Sequence, residues 1–396
     1  MKRSVEFQTP EVIWDIRSRA PGLLAALGRE EPWVKSALQG MRTSFPTAAT
    51  CLTFKKSPYL RLRGHQRAFY RQGPGQGVLA IKGADIFARD LPDAFAAMGR
   101  RTSRFSAAPL EHFPIVERKV PMALLTGEAL DEARKAAEFQ TAYFKRYRGF
   151  ARIPLPLLVV RWPRAAVDRL REGLSPRLSR PARGIVQRLL KDGLSAYVYY
   201  YPNPPVRALH LAEDVGPADG GDYRRRLERL RLHGSVFLDR FDPLDAVRGW
   251  TTLVARMLAL GYAPVTLSQH AVGQCVRGQN AVIDGGFADV DSLQPIRGIK
   301  GRAEFQDTFL TTLTELAATV DTLMVGLPGE PRRAALSLLI GCCLENELAR
   351  QLKKELPKGA KLAPRMKAAL ASLQTFDRMD RTLNSFQSVP VKNSGD

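Results

Sequence analysis

The stretch Thr251 to Pro295, TTLVARMLALGYAPVTLSQHAVGQCVRGQNAVIDGGFADVDSLQP, constrains this chain most. Leu253, Val254, Met257, Leu258 and Leu260 recur at helical spacing, and Gly261 follows where a left-handed C-cap is wanted. An apolar step, Ala263 to Leu267, leads into a polar loop, Ser268 to Gly273. The spacing then predicts a hairpin, with strands Gln274-Cys275-Val276 and Ala281-Val282-Ile283 joined by a turn at 277–280. The second strand ends at Asp284, followed by Gly285-Gly286 and by the carboxylates of Asp289 and Asp291. An apolar strand that delivers an acid into a Gly-Gly turn suits a metal. The strand fixes the carboxylate, and the glycines let backbone or phosphate come close. A calcium loop is disfavoured, because the acids lack the alternating order and terminal glutamate of an EF-hand.

Upstream, the chain turns β-like from Tyr59. A strand-like run from Leu60 to Tyr70, with arginines interleaved, precedes Gly73-Pro74-Gly75-Gln76-Gly77 and the strand Val78 to Gly83. Glycines between two strands let backbone amides approach a phosphate, although Pro74 removes one donor. A plain hairpin turn is the alternative. Lys82 ends the apolar strand, and Lys119 lies in a second strand-like run, Phe113 to Val120. A helix is expected from Thr126-Gly127-Glu128 to about Tyr147, carrying Glu128, Glu132 and Glu138. Two further strands are expected at Leu155–Trp162 and Ala196–Tyr201, and another at Val206–Leu211, with the link to a second lobe at Glu213–Gly216. Beyond Pro295 the pattern becomes helical, over 305–323, 333–352 and 363–383.

Helix, polar loop, short hairpin, then Ile283-Asp284-Gly285 is the central order of the protein-kinase-like fold. The Leu253–Arg256 and Leu260–Tyr262 lead-in and the Val282–Asp291 segment resemble selenoprotein O-type AMP transferases. That resemblance implies an α+β, two-lobed protein-kinase-like fold, with a small β-rich lobe and a larger helical lobe. The expected organisation is an N-terminal helical extension over 1–58, a nucleotide-binding lobe over 59–211, a helical lobe with the metal and catalytic loop over 212–389, and a tail over 390–396. It implies ATP and magnesium as cofactors, and transfer of AMP or phosphate to a protein, peptide or small-molecule acceptor. Asp284 would hold the metal, with Gln274, Asn280 and Asp289 as further candidate ligands. Lys82 or Lys119 would pair with phosphate, oriented by Glu132 or Glu138, beneath Gly73, Gly75 and Gly77. Where a kinase loop carries His-Arg-Asp, this chain has Ser268-Gln269-His270-Ala271, so His270 is the candidate base.

Charge supplies the alternative from another class. The net charge is +21, and thirteen Lys/Arg stand against three acids between Thr141 and Asp192. Solvated surface arginine explains this as readily as an anionic partner does. A catalytically inactive kinase-like scaffold, or a basic module for nucleic acid or an acidic partner, is therefore the second expectation. Nucleic acid is less favoured, since no helix-turn-helix, RNP or zinc-finger pattern is visible. Cys51, Cys275, Cys342 and Cys343 have no CxxC or zinc spacing. The N-terminus lacks a signal-peptide core and no run approaches membrane-spanning length, so a cytoplasmic setting and no membrane are expected. Thr9, Pro10 and Glu11 read as a helix start, and a second short helix is expected after Pro32.

Overall fold

The structure is a computed structural model that describes residues 11–43, 45, 59–60, 68–75, 77–83, 124–174, 184, 187–188, 190–207, 243–263, 265–267, 272–274, 280–291, 293–295 and 354–355. The chain is mixed α and β, and its contacts divide it into two compact units. One comprises Met1–Pro204 with Leu230–Asp239, the other Pro205–Arg229 with Arg240–Asp396.

The first unit is built on one antiparallel sheet of six strands in the order β1-β5-β6-β4-β3-β2. Its strands are β1 (Glu11–Asp15), β2 (Tyr59–Leu60), β3 (Ala68–Gln72), β4 (Val78–Lys82), β5 (Leu155–Arg161) and β6 (Ser195–Tyr201). The central strands β4 and β6 are buried along their whole length, and their near-continuous apolar sequences follow from that. Helices α1 (Ile16–Arg19), α2 (Pro21–Glu30) and α3 (Pro32–Thr43) lie between β1 and β2 in the chain. Helix α4 (Thr126–Tyr147) separates β4 from β5, and α5 (Arg164–Leu174) separates β5 from β6.

The N-terminal residues correct one expectation. Thr9-Pro10-Glu11 reads as a helix start, yet Glu11–Asp15 is a strand paired with β5, Glu11 opposite Arg161 and Asp15 opposite Leu158. Val12, Ile13 and Trp14 are strand formers, and the open edge of β5 gives their backbone a ladder that a local helix signal cannot outweigh. The helix begins one step later, where the Asp15 carboxylate accepts the Arg17 amide at 2.8 Å.

Asp15 also ties α1 to α3. Arg42 Nη2 donates to both its oxygens, at 3.0 and 2.9 Å. Burial pushes the Asp15 carboxyl upward, but the Arg17 and Arg42 contacts outweigh it and hold the pKa below its usual value. A depressed carboxylate stabilises the fold above the unfolded pKa of about 3.9, and that stability is lost as pH falls through the folded value. Asp15→Asn should therefore flatten the acid limb of a melting-temperature profile below about pH 4, and an unchanged limb would show that Asp15 does not contribute to it.

In the second unit, α6 (Pro243–Ala259) ends at Leu260-Gly261, with Gly261 at φ +83 as its left-handed terminus. Three short antiparallel pairs follow. β7 (Tyr262–Ala263) pairs with β12 (Gln294–Pro295), β8 (Val265–Leu267) with β9 (Val272–Gln274), and β10 (Ala281–Val282) with β11 (Gly286–Phe287). This replaces the expected hairpin between 274–276 and 281–283. The tight reversal falls at Asp284 itself, where Gly285 at φ +86 lets the chain fold straight back. Val206 and Arg207 add to the edge of β10: the Ile283 amide donates to the Val206 carbonyl at 2.9 Å, and Arg207 bridges Val282. Residues 208–211 of the expected strand lie outside the described residues. So do the link at 213–216, the helices expected over 305–323, 333–352 and 363–383, and the tail.

Candidate functional site

In the first unit, strand β4 and helix α4 bring Lys82 and Glu132 together. Lys82 Nζ donates to Glu132 Oε2 at 2.7 Å, with the side chains 10% and 2% exposed. Helix α4 presents Ala129, Glu132, Ala133, Ala136 and Gln140 as a buried stripe at three- and four-residue spacing. The alanines let the helix approach β5 and β6, against which it packs, and Glu132 sits within that stripe. Glu138 is exposed. Six residues along a helix turn it well away from the face that Glu132 shares. Lys119 lies outside the described residues.

The ladder places Lys82 on a particular sheet face. In an antiparallel pair, opposed residues point the same way. Lys82 opposes Ala68 and Tyr197, Ala80 opposes Tyr70 and Tyr199, and Val78 opposes Gln72 and Tyr201. One face thus carries Lys82, the small Ala80 and four tyrosines. Tyr200 belongs to the opposite face.

The glycine turn is a hairpin, closed by the Gly73 amide donating to the Gly77 carbonyl at 2.9 Å. Its glycines serve packing. A methyl group at Gly73 would run into the Trp33 indole, and one at Gly77 would lie 2.5 Å from the Tyr200 hydroxyl. Glu31 joins these rings, accepting Trp33 Nε1 at 2.6 Å and the Tyr200 hydroxyl at 3.1 Å. Burial, reinforced by Glu31, holds the Tyr200 phenol far above its usual pKa, so it remains a donor. Gly75 is open, with Glu31 Oε1 as its nearest neighbour at 3.9 Å from an added methyl. The α2–α3 corner thus covers part of this turn and sets a carboxylate beside it.

In the second unit, Asp284 is 2% exposed at the apex of the β10–β11 reversal. Its Oδ1 accepts the Gly286 amide at 2.9 Å, and the Gly285 amide closes onto the Val282 carbonyl at 3.0 Å. Asn280 is 8% exposed in the same hairpin, where its carbonyl takes the Ala288 amide at 2.7 Å. Asp289 is half-buried, its Oδ1 accepting the Asp291 amide at 3.3 Å. Gln274 ends β9, and only its backbone is described. His270 lies outside the described residues. Among the described residues, no three His, Cys, Asp or Glu gather as a metal cage. A buried carboxylate at a tight turn fits magnesium, which keeps waters and takes much of its shell from substrate phosphate.

Arg207 is a residue that sequence reasoning missed. Its Nε is buried without a hydrogen-bond partner, and its backbone opposes Val282, two residues before Asp284. A buried guanidinium N–H without an acceptor is costly, which makes it a candidate anion contact. Its sequence context, Pro204-Pro205-Val206-Arg207, gives no hint of this.

No protein-family model matches the chain, and no curated protein matches it. Among the described residues, no helix is long and apolar enough to cross a membrane.

Proposed function

We propose that this chain binds ATP with magnesium and transfers AMP or phosphate to an acceptor, through a protein-kinase-like arrangement. The buried Lys82–Glu132 pair carries the proposal. Taking two charges out of water costs several kcal/mol per ion, and such a pair is seldom the most stable way to fill a core. A strand lysine oriented by a helix glutamate is the pairing that kinase-like chemistry requires of the phosphate-binding cation.

Each residue then has a defined task. Glu132 orients the Lys82 ammonium, which pairs with the nucleotide's phosphate oxygens. Asp284 and Asn280 hold magnesium, which neutralises phosphate charge when bound. Arg207 supplies its buried N–H to a phosphate oxygen. His270, in the polar loop after β8, takes the acceptor's proton. In AMP transfer the acceptor attacks the α-phosphorus and pyrophosphate leaves, whereas in phosphate transfer it attacks the γ-phosphorus and ADP leaves. An acidic acceptor suits a chain of charge +21.

One observation favours a second reading, a catalytically inactive scaffold. Trp33 fills the space over Gly73 and Glu31 places negative charge beside Gly75, where a phosphate-covering turn needs open backbone amides. Incubation with ATP labelled on the α- or the γ-phosphate, followed by intact-mass analysis of the protein and a panel of acidic acceptors, separates the readings. Label from α alone is AMP transfer, and label from γ alone is phosphorylation. No label on any species supports the scaffold.

A further inference from the structure

The turn that carries Asp284 is held from behind by one indole. Trp250 on α6 is 1% exposed, and its Nε1–H donates to two carbonyls, Val282 O at 2.9 Å and Gly286 O at 3.1 Å. Those carbonyls stand two residues before and two residues after Asp284. One residue earlier on α6, Gly249 meets the turn backbone to backbone. A methyl on Gly249 would fall 2.6 Å from the Gly285 Cα, and one on Gly285 would fall 2.6 Å from the Gly249 Cα. Gly285 also needs its positive φ. Helix and turn therefore touch at two glycines, and the indole beside them links the two strands that lead into and out of the acid.

A buried tryptophan needs only one acceptor for its N–H. Sharing that N–H between carbonyls on either side of Asp284 does more, because it sets the width of the turn at the base of the carboxylate. Metal affinity depends on such orientation: losing an outer contact to a ligand typically lowers it about 10–100-fold. We propose that Trp250 is a positioning residue for Asp284, with Gly249 as the contact that lets it reach the turn. The proposal rests on the reading of Asp284 as the magnesium ligand of a bound nucleotide.

The test compares ATP affinity in magnesium and in EDTA, by calorimetry on the full chain, for three variants. Trp250→Phe keeps the ring and loses the N–H. Gly249→Ala pushes the turn away by a separate route. Leu253→Ala, a buried position on the same helix, is the control for general loss of packing. Trp250→Phe and Gly249→Ala are each expected to weaken ATP binding in magnesium about tenfold or more and to leave the EDTA value within about twofold. Leu253→Ala is expected to keep the wild-type ratio of the two affinities. Amide exchange over 282–286 should accelerate about tenfold in Trp250→Phe relative to Leu253→Ala. Equal weakening in magnesium and EDTA, or wild-type ratios in both Trp250→Phe and Gly249→Ala, overturns the proposal. A wild-type chain whose ATP affinity ignores magnesium removes the function assigned to Asp284. The exchange rates still decide whether the indole holds the turn.

Discussion

Asp284→Ala is expected to abolish the magnesium-dependent part of ATP binding, a loss of at least about 100-fold in affinity measured in magnesium. Removing a ligand should cost no less than the 10–100-fold typical of losing its outer contacts. The fold should survive. The carboxylate accepts the Gly286 amide, and losing a hydrogen bond at a buried site costs about 1–3 kcal/mol. Asp284→Asn sharpens the result, since its amide oxygen still accepts that N–H while the charge is gone. It should melt close to wild type and still lose the magnesium effect. Calorimetric titrations with ATP in magnesium and in EDTA give both numbers. Wild-type magnesium dependence in Asp284→Asn would remove the metal from this turn.

Glu132→Ala is the substitution expected to damage stability most. It removes the carboxylate that buried Lys82 meets at 2.7 Å and opens a void, and breaking a buried pair from one side typically costs about 3–5 kcal/mol. Urea unfolding of the first unit should register that loss as a fall in midpoint. Glu138→Ala, at an exposed position on the same helix, should change the midpoint by less than about 0.5 kcal/mol equivalent. Equal effects from the two would place Glu132 outside the core that the sheet and α4 form.

Much of the first unit can be read from sequence, because its elements are long and their patterns unambiguous. Helix α4 is bounded at Thr126 and Tyr147, as its acidic first turn and alanine stripe indicate. The apolar runs that become β4, β5 and β6 are too continuous for anything but central strands. Sequence alone offers Lys82 or Lys119 with Glu132 or Glu138 and does not choose among them. Distance along the chain favours Lys119, which lies outside the described residues, whereas Lys82 meets Glu132 across an intervening segment at 84–123.

Elements two or three residues long escaped for the opposite reason. β10 and β11 are two residues each, below any length at which alternation is measurable, so the reversal at Asp284 leaves no periodic signature in the sequence. The N-terminal strand was hidden by a sound local helix signal that the edge of β5 overrides. The glycines at 73 and 77 fit a phosphate turn by type, but the rings of Trp33 and Tyr200 that require them come from distant segments. Arg207 and Trp250 carry no motif at all. Their significance lies in an unsatisfied N–H and in a shared one, and both are tertiary facts.

The central claim is that the Lys82–Glu132 pair exists for phosphate rather than for the core, and the double variant Lys82→Met/Glu132→Leu tests it directly. Replacing a buried ion pair by apolar side chains of similar volume is often neutral or stabilising by about 1–4 kcal/mol. The variant should therefore melt at or above the wild-type temperature. Titrated with ATP in magnesium, this well-folded chain should show affinity at least about tenfold weaker than wild type. Wild-type ATP affinity in the double variant would contradict the claim and leave the pair as a structural feature of the sheet.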